Sequence, residues 1–291
     1  AVSAIEPVAY VVDDTGLPKD GNASPCVAHQ YCGQLGKTTN CQVAVSIQLA
    51  TDTASLAADW RLFCPPSWDD RTLHDPTDAA AARRRRAAAK LPDDARHREK
   101  WRLALDMLDE TTGSWGLPRL PVTADCGYGD TTGFRRGLED RGLDYVVAVS
   151  PDLSAHPADA VPTTPLYPGR GRPPIGKYPD KPSSLGALAR AAGQDAYQPV
   201  TWRHGSRRGQ DNPDAALRSR FLALPVRPAN RDIPRAPDAT LPVRTLLAQW
   251  PEGTDSPTDY WLSNLPADTP LPVLVRLAKI RWRVEHDYRE L

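Results

Sequence analysis

Three acidic side chains, far apart along the chain, stand where a carboxylate can do chemistry. Asp14 follows the apolar run of "YVVDDTG" (10–16), Asp125 follows that of "RLPVTADCGYGD" (119–130), and Glu285 lies in "IRWRVEHDYREL" (280–291) between Arg281 and Arg289. A carboxylate flanked by guanidinium groups on one helical face stays ionised. Three ionised carboxylates brought together repel one another. Two divalent ions about 4 Å apart would offset that charge and activate an in-line attack on phosphorus. Asp13 and Asp14 are adjacent, so a strand running through both aims them at opposite faces. Alone, Asp13-Asp14-Thr15-Gly16 reads as turn chemistry at a strand end. Partners elsewhere in the chain single out Asp14 as the site residue and leave Asp13 as a turn or supporting residue.

The elements that must position these acids follow from periodicity. "VAYVVDD", "NCQVAVSIQLAT" (40–51) and "DWRLFCP" (59–65) read as three strands of an antiparallel meander. Residues 70–92 read as a surface connection or a frayed helix, with Arg83 to Arg86 as a solvated face. Trp101, Leu105 and Leu108 at helical spacing predict an amphipathic helix from about Arg98. A short strand ending at Asp125, a helix over 131–142 with Asp130 as its N-cap, and a buried strand "DYVVAVS" (144–150) predict a parallel pair. From Pro151 to about Leu241 proline becomes frequent, and "PVTWR" and "SRFLALPVRP" are the strand candidates. "TDYWLSNLP" (258–266) and a final helix opened by prolines complete the chain. The expected division is 1–150, the first part of a catalytic core; 151–245, a proline-rich insertion; and 246–291, a return to the core with the glutamate helix.

Composition narrows the classes. The 291 residues are 40% hydrophobic and 25% charged with a formal net charge of zero, so a polyanion must be recognised by local patches. Such patches are "ARRRRAAAK" (82–90), "WRHGSRRG" (202–209) and "VRLAKIRWR" (275–283). No apolar run suits a bilayer, no signal peptide opens the chain, and five cysteines without a C-x-x-C pair suggest reduced thiols; a cytoplasmic protein is expected. Cys26, His29 and Cys32 match no common zinc spacing. "GQLGKT" (33–38) imitates the end of a phosphate-binding loop, but Tyr31 stands where glycine is required; a turn bringing Lys37 to DNA is the better reading. Trp282 and Tyr288 read as packing aromatics, and His286 as a surface residue. The missing initiator methionine and the stop within a helical pattern read as a fragment of a longer protein.

Taken in order, "VVDDTG", "VTADCGYG" and "IRWRVEHDYREL" resemble the three signature segments of bacterial insertion-sequence transposases of the DDE type. The resemblance implies an α/β, ribonuclease H-like core: a mixed five-stranded sheet flanked by helices, with a β-rich insertion before the last catalytic helix. It implies that Asp14, Asp125 and Glu285 hold two Mg2+ ions, with Mn2+ as a substitute, and that Arg281 contacts DNA phosphate. Arg203, Arg207, Arg208 and Lys37 are expected to hold further phosphates. The implied partner is double-stranded DNA, at element ends and target, bound by a homodimer. Two departures stand out: Ala278 occupies a position where related transposases carry tyrosine, and an expected lysine falls just beyond Leu291. An inactive DNA-binding remnant and a ribonuclease H-like nuclease without transposition are the alternatives.

Overall fold

Residue alternation along one long strand organises the first part of the molecule. The computed structural model describes residues 5–167, 169–171, 174–205, 208–210 and 212–288, with the backbone alone for 285–287. They divide into two compact units, Ala1–Leu120 with Arg281–Leu291, and Pro121–Ile280.

In the first unit, β1 (Ala9–Pro18), β2 (Ala28–Cys32), β3 (Lys37–Ala50) and β4 (Ser55–Leu62) pair antiparallel, with β3 against each of the others. On one face of β3, Val43, Val45, Ile47 and Leu49 are at most 1% exposed. The other face carries Ser46 and Gln48, buried although polar. The β2–β3 link is a tight hairpin with Gly36 at φ +62°, and Lys37 opens β3 on the surface. Strand, turn and strand replace the strand, loop and helix that a phosphate-binding loop requires. β1 does not stop at the aspartates, as the sequence suggested. Its pairing with β3 runs without a break from Ala9↔Ala50 to Pro18↔Cys41, because the turn-prone residues Asp13 to Gly16 are held by a full ladder.

After β4, α1 (Pro76–Ala88) is a capped helix and not a frayed connection: the Asp75 carboxylate accepts from the N–H groups of Thr77 (2.7 Å) and Asp78 (3.0 Å), and Pro76 opens the first turn. Arg86 also departs from the solvated-face reading. It shares a helical stripe with Ala79 and Ala82, is buried, and donates to the carbonyls of Trp68 (3.1 Å) and Pro92 (2.8 Å). Next comes α2 (Lys100–Asp109), which buries Ala104, Leu105, Met107 and Leu108; Trp101 is half-buried under the Arg102 guanidinium.

Asp69 clamps the chain between the two helices. Its carboxylate accepts from the N–H of Arg71 (3.0 Å), the N–H of His97 (2.9 Å) and the Arg96 guanidinium (3.2 Å). Burial pushes this carboxyl up, but the three sets of donors outweigh it and hold its pKa below the ordinary value. A depressed folded pKa contributes stability that is present above the unfolded value, near 4, and is lost as pH falls through the folded value. Asp69→Asn is therefore expected to lower stability at pH 7 by about 2 kcal/mol and to flatten the acid limb of the stability profile, measured by denaturant titration from pH 7 to pH 3. An unchanged acid limb would remove Asp69 from the account.

The second unit begins with β5 (Val122–Ala124), followed by a one-turn helix α3 (Cys126–Gly129), then α4 (Thr132–Asp140) and β6 (Tyr145–Ala148), which pairs parallel to β5 as expected. Then come β7 (Ser154–Pro157), β8 (Ser183–Ser184), α5 (Leu185–Ala191), β9 (Gln198–His204), β10 (Ala216–Pro228), β11 (Arg244–Trp250) and β12 (Asp259–Ser263). β12 pairs antiparallel with β6, and β11, β10, β7 and β8 extend the same sheet, with β9 also on β10. The sheet thus grows past β6, whose outer edge would otherwise expose unpaired backbone.

The final helix is not continuous. α6 (Leu271–Lys279) ends where the Lys279 ammonium lies over the rings of Trp261 (4.8 Å) and Trp202 (5.4 Å), and burial there draws its pKa down. α7 (Trp282–Asp287) follows and belongs to the first unit. No described helix is long and apolar enough to cross a membrane.

Candidate active site

The unbroken ladder of β1 sorts its two aspartates onto opposite faces, and the packing of the helices shows what each face meets. Asp13 pairs with Ser46, which pairs with Trp60, so these three side chains form one row across β1, β3 and β4. That row lies under α7 and its flanks. Arg281 Nη1 donates to Asp13 Oδ2 at 2.9 Å, the Tyr288 hydroxyl meets Ser46 Oγ at 2.5 Å, and the Tyr288 ring stands edge-on to Trp60 at 5.7 Å. Burial, and next the charge of Asp13, push the Tyr288 hydroxyl pKa upward, so it stays protonated and available to donate. Asp13 Oδ1 also accepts the N–H of Asp14 at 2.9 Å.

Asp14 belongs to the neighbouring row, with Val45 and Arg61, on the face that packs against α2. Its Oδ2 takes an ion pair from Lys100 at 3.0 Å, at the first residue of α2. Arg61 on the same row bonds Glu110, just past the end of α2. Arg281 and Tyr288 are seven residues apart, two turns of helix, and Glu285 falls between them in the same register. The side chain of Glu285 lies outside the described residues, as do those of His286 and Arg289.

In the second unit, Asp125 directly follows β5 and caps α3, accepting the N–H of Tyr128 at 3.3 Å. Two glycines make this turn possible. A Cβ on Gly127 would lie 3.1 Å from Asp125 Oδ1, so its absence leaves open space beside the carboxylate. A Cβ on Gly129 would lie 1.8 Å from the Ala148 carbonyl oxygen, so α3 rests directly on the backbone of β6. Asp130 is not the N-cap of α4. Thr131 takes that position, and Asp130 instead accepts the N–H of Ser150 at 2.7 Å, tying the end of α3 to the segment after β6.

The basic residues named from sequence sit on different elements. Lys37 is exposed at the start of β3, Arg203 is half-buried on β9, and Arg208 is exposed in the following loop. Arg207 lies outside the described residues. Arg281, expected on a DNA phosphate, is engaged with Asp13. The sequence left Asp13 as a turn or supporting residue, and it carried no signal for the contacts of Ser46 with Tyr288 or of Lys100 with Asp14. The alternation that separates Asp13 from Asp14 was visible in the sequence, but not which face receives α7.

Among the described residues no three His, Cys, Asp or Glu side chains are grouped closely enough to hold a metal ion. The acids fit such an ion in the chemistry of their donors. Carboxylate oxygens are the hard donors that Mg2+ and Mn2+ prefer, and the missing Cβ of Gly127 leaves room at Asp125.

An antiparallel meander followed by helices, a strand, a helix and a parallel strand, with an acid on the first strand and another directly after the fifth, defines the class of ribonuclease H-like nucleases. A family model described as DDE superfamily endonuclease matches residues 1–209, and the chain belongs to that family. No curated protein matches the chain. It is thus a nuclease-type enzyme with DNA as its substrate, of a class that generally uses divalent metal ions.

Proposed function

We propose that the chain is the catalytic core of an insertion-sequence transposase that cleaves DNA at the ends of a mobile element and joins the freed strand to target DNA. Asp13, Asp125 and Glu285 would hold Mg2+, or Mn2+ in its place, with Asp13 taking the role that the sequence suggested for Asp14. Bound there, the ions would activate the attacking water or 3′ hydroxyl and offset charge at phosphorus. The observation carrying this reading is the ion pair of Arg281, which directly precedes α7, with Asp13 on β1.

The protein's own groups then have definite tasks. Arg281 offsets the charge of Asp13, so that a second carboxylate from α7 can be accommodated on the same face. Ser46 and Tyr288 tie the end of α7 to β3. Asp125 is oriented by its cap bond to Tyr128 and by the glycines of its turn. Lys100 neutralises Asp14 on the other face. Residues 151–245 form the insertion, Arg203, Arg207, Arg208 and Lys37 contribute salt-dependent phosphate contacts, and the active assembly is a homodimer on cytoplasmic, nucleoid DNA.

The chain should nick supercoiled plasmid with Mg2+ and stop on addition of EDTA. Asp125→Ala should abolish nicking while retaining DNA binding in a gel-shift assay. Nicking that survives either treatment overturns the site, and absence of strand joining with a 3′-hydroxyl donor duplex would leave a nuclease and remove transposition.

A further inference from the structure

Residues 160–179 contain no acidic side chain but carry Arg170, Arg172 and Lys177, within a chain of zero net charge. The segment is anchored at its base. Thr163 and Lys177 exchange two backbone hydrogen bonds, at 2.9 and 3.0 Å. Gly176 is pressed so closely against Thr164 and Ala239 that a Cβ would come within 3.0 Å of both. The adjoining Tyr178 stacks on His156 at 4.1 Å and accepts the N–H of Leu241 at 2.9 Å.

Beyond that base, every described residue from Thr163 to Gly171 is exposed, Leu166 by 95%. Gly169 and Gly171, at φ +79° and +82°, flank Arg170, and the Tyr167 hydroxyl bonds the Gly171 carbonyl at 2.9 Å. A loop that merely connects gains nothing from exposing Leu166, Tyr167 and Ile175 or from excluding every acid.

These properties suit one surface. The minor groove of duplex DNA is about 6 Å wide, too narrow for a helix but open to a backbone without Cβ atoms. Its A·T tracts are narrower and more negative, which favours an inserted guanidinium, whereas the exocyclic amine of guanine intrudes on the groove floor. Exposed apolar side chains beside the arginine can lie along the sugar walls.

We propose that the exposed residues Leu166, Tyr167 and Gly169 to Gly171 form a DNA-contacting arm that lays Arg170 into the minor groove of A·T-rich duplex. The assignment rests on the DNA-processing reading above and adds a sequence preference to it. Fluorescence anisotropy of the full chain, without metal, on A·T-rich and G·C-rich duplexes of equal length tests it. The unaltered chain is expected to bind the A·T-rich duplex roughly tenfold more tightly. Arg170→Ala should remove most of that ratio, and Arg170→Lys should keep affinity for the G·C-rich duplex while lowering the ratio. Equal binding of the two duplexes by the unaltered chain, or an equal loss on both in Arg170→Ala, overturns the arm. Plasmid nicking by the same samples separates the two readings. Metal-dependent nicking with no A·T preference sinks only the arm, and A·T preference without any nicking supports the arm while sinking the endonuclease core of the proposed function.

Discussion

Asp13→Asn is expected to lower metal-dependent DNA cleavage roughly a thousandfold, the equivalent of several kcal/mol of charge stabilisation at phosphorus. Asp14→Asn should lower it by no more than about fivefold. The difference follows from the faces of β1. Asp13 shares its row with Ser46, and the two bond Arg281 and Tyr288, which flank α7. Asp14 faces α2, where its bond to Lys100 joins side chains 27% and 34% exposed. A pair so exposed contributes at most about 1 kcal/mol, so its loss is mild. Because Asp13→Asn also changes the Arg281 ion pair, the thermal midpoint and DNA affinity of each variant must be measured beside activity. Cleavage lost in Asp14→Asn and kept in Asp13→Asn would reverse the assignment and restore the expectation drawn from the strand-end motif.

Gly129→Ala should destabilise the protein by about 3 kcal/mol, lowering the thermal midpoint by roughly 6–12 °C. Two effects compete. Alanine inside a helix is favoured over glycine by about 1 kcal/mol, and Gly129 is in helical conformation, so local propensity argues for stabilisation. The new Cβ, however, would lie 1.8 Å from the carbonyl oxygen of Ala148 and 2.9 Å from its carbon. Both are backbone atoms of a paired strand, and neither can rotate away. The overlap wins, and α3 must lift from β6, carrying with it the turn that orients Asp125. Cleavage should fall with stability, whereas Gly113→Ala, where nothing lies within 4 Å of the added atom, should leave both unchanged. A thermal midpoint for Gly129→Ala equal to that of the unaltered protein would show that α3 does not rest on β6.

Much of the element order was legible because it depends on short-range pattern. The apolar faces of β3 and α2, the parallel pair of β5 and β6 and the acid after β5 follow from alternation, helical spacing and turn-forming glycines. The places where that reading failed share a cause. Asp13 to Gly16 have the chemistry of a turn, and the ladder with β3 overrides it. Arg86 looks like one of four solvated arginines, yet it alone lies on the stripe with Ala79 and Ala82 and is drawn into the interior by two carbonyls. Asp130 has the type of an N-cap, but the N–H of Ser150, twenty residues away in sequence, competes for it.

The acids themselves, their order, and the alternation that keeps Asp13 and Asp14 apart are properties of the amino-acid chain, because side-chain direction in a strand reverses at every residue whatever surrounds it. Which of the two belongs to the site is a property of the folded molecule. It depends on where α7 docks, and that docking is held by Arg281 and Tyr288, which meet Asp13 and Ser46 across more than two hundred residues of sequence. No local pattern encodes a contact of that separation; it forms only when the sheet has presented one face and the helix has turned the matching side toward it.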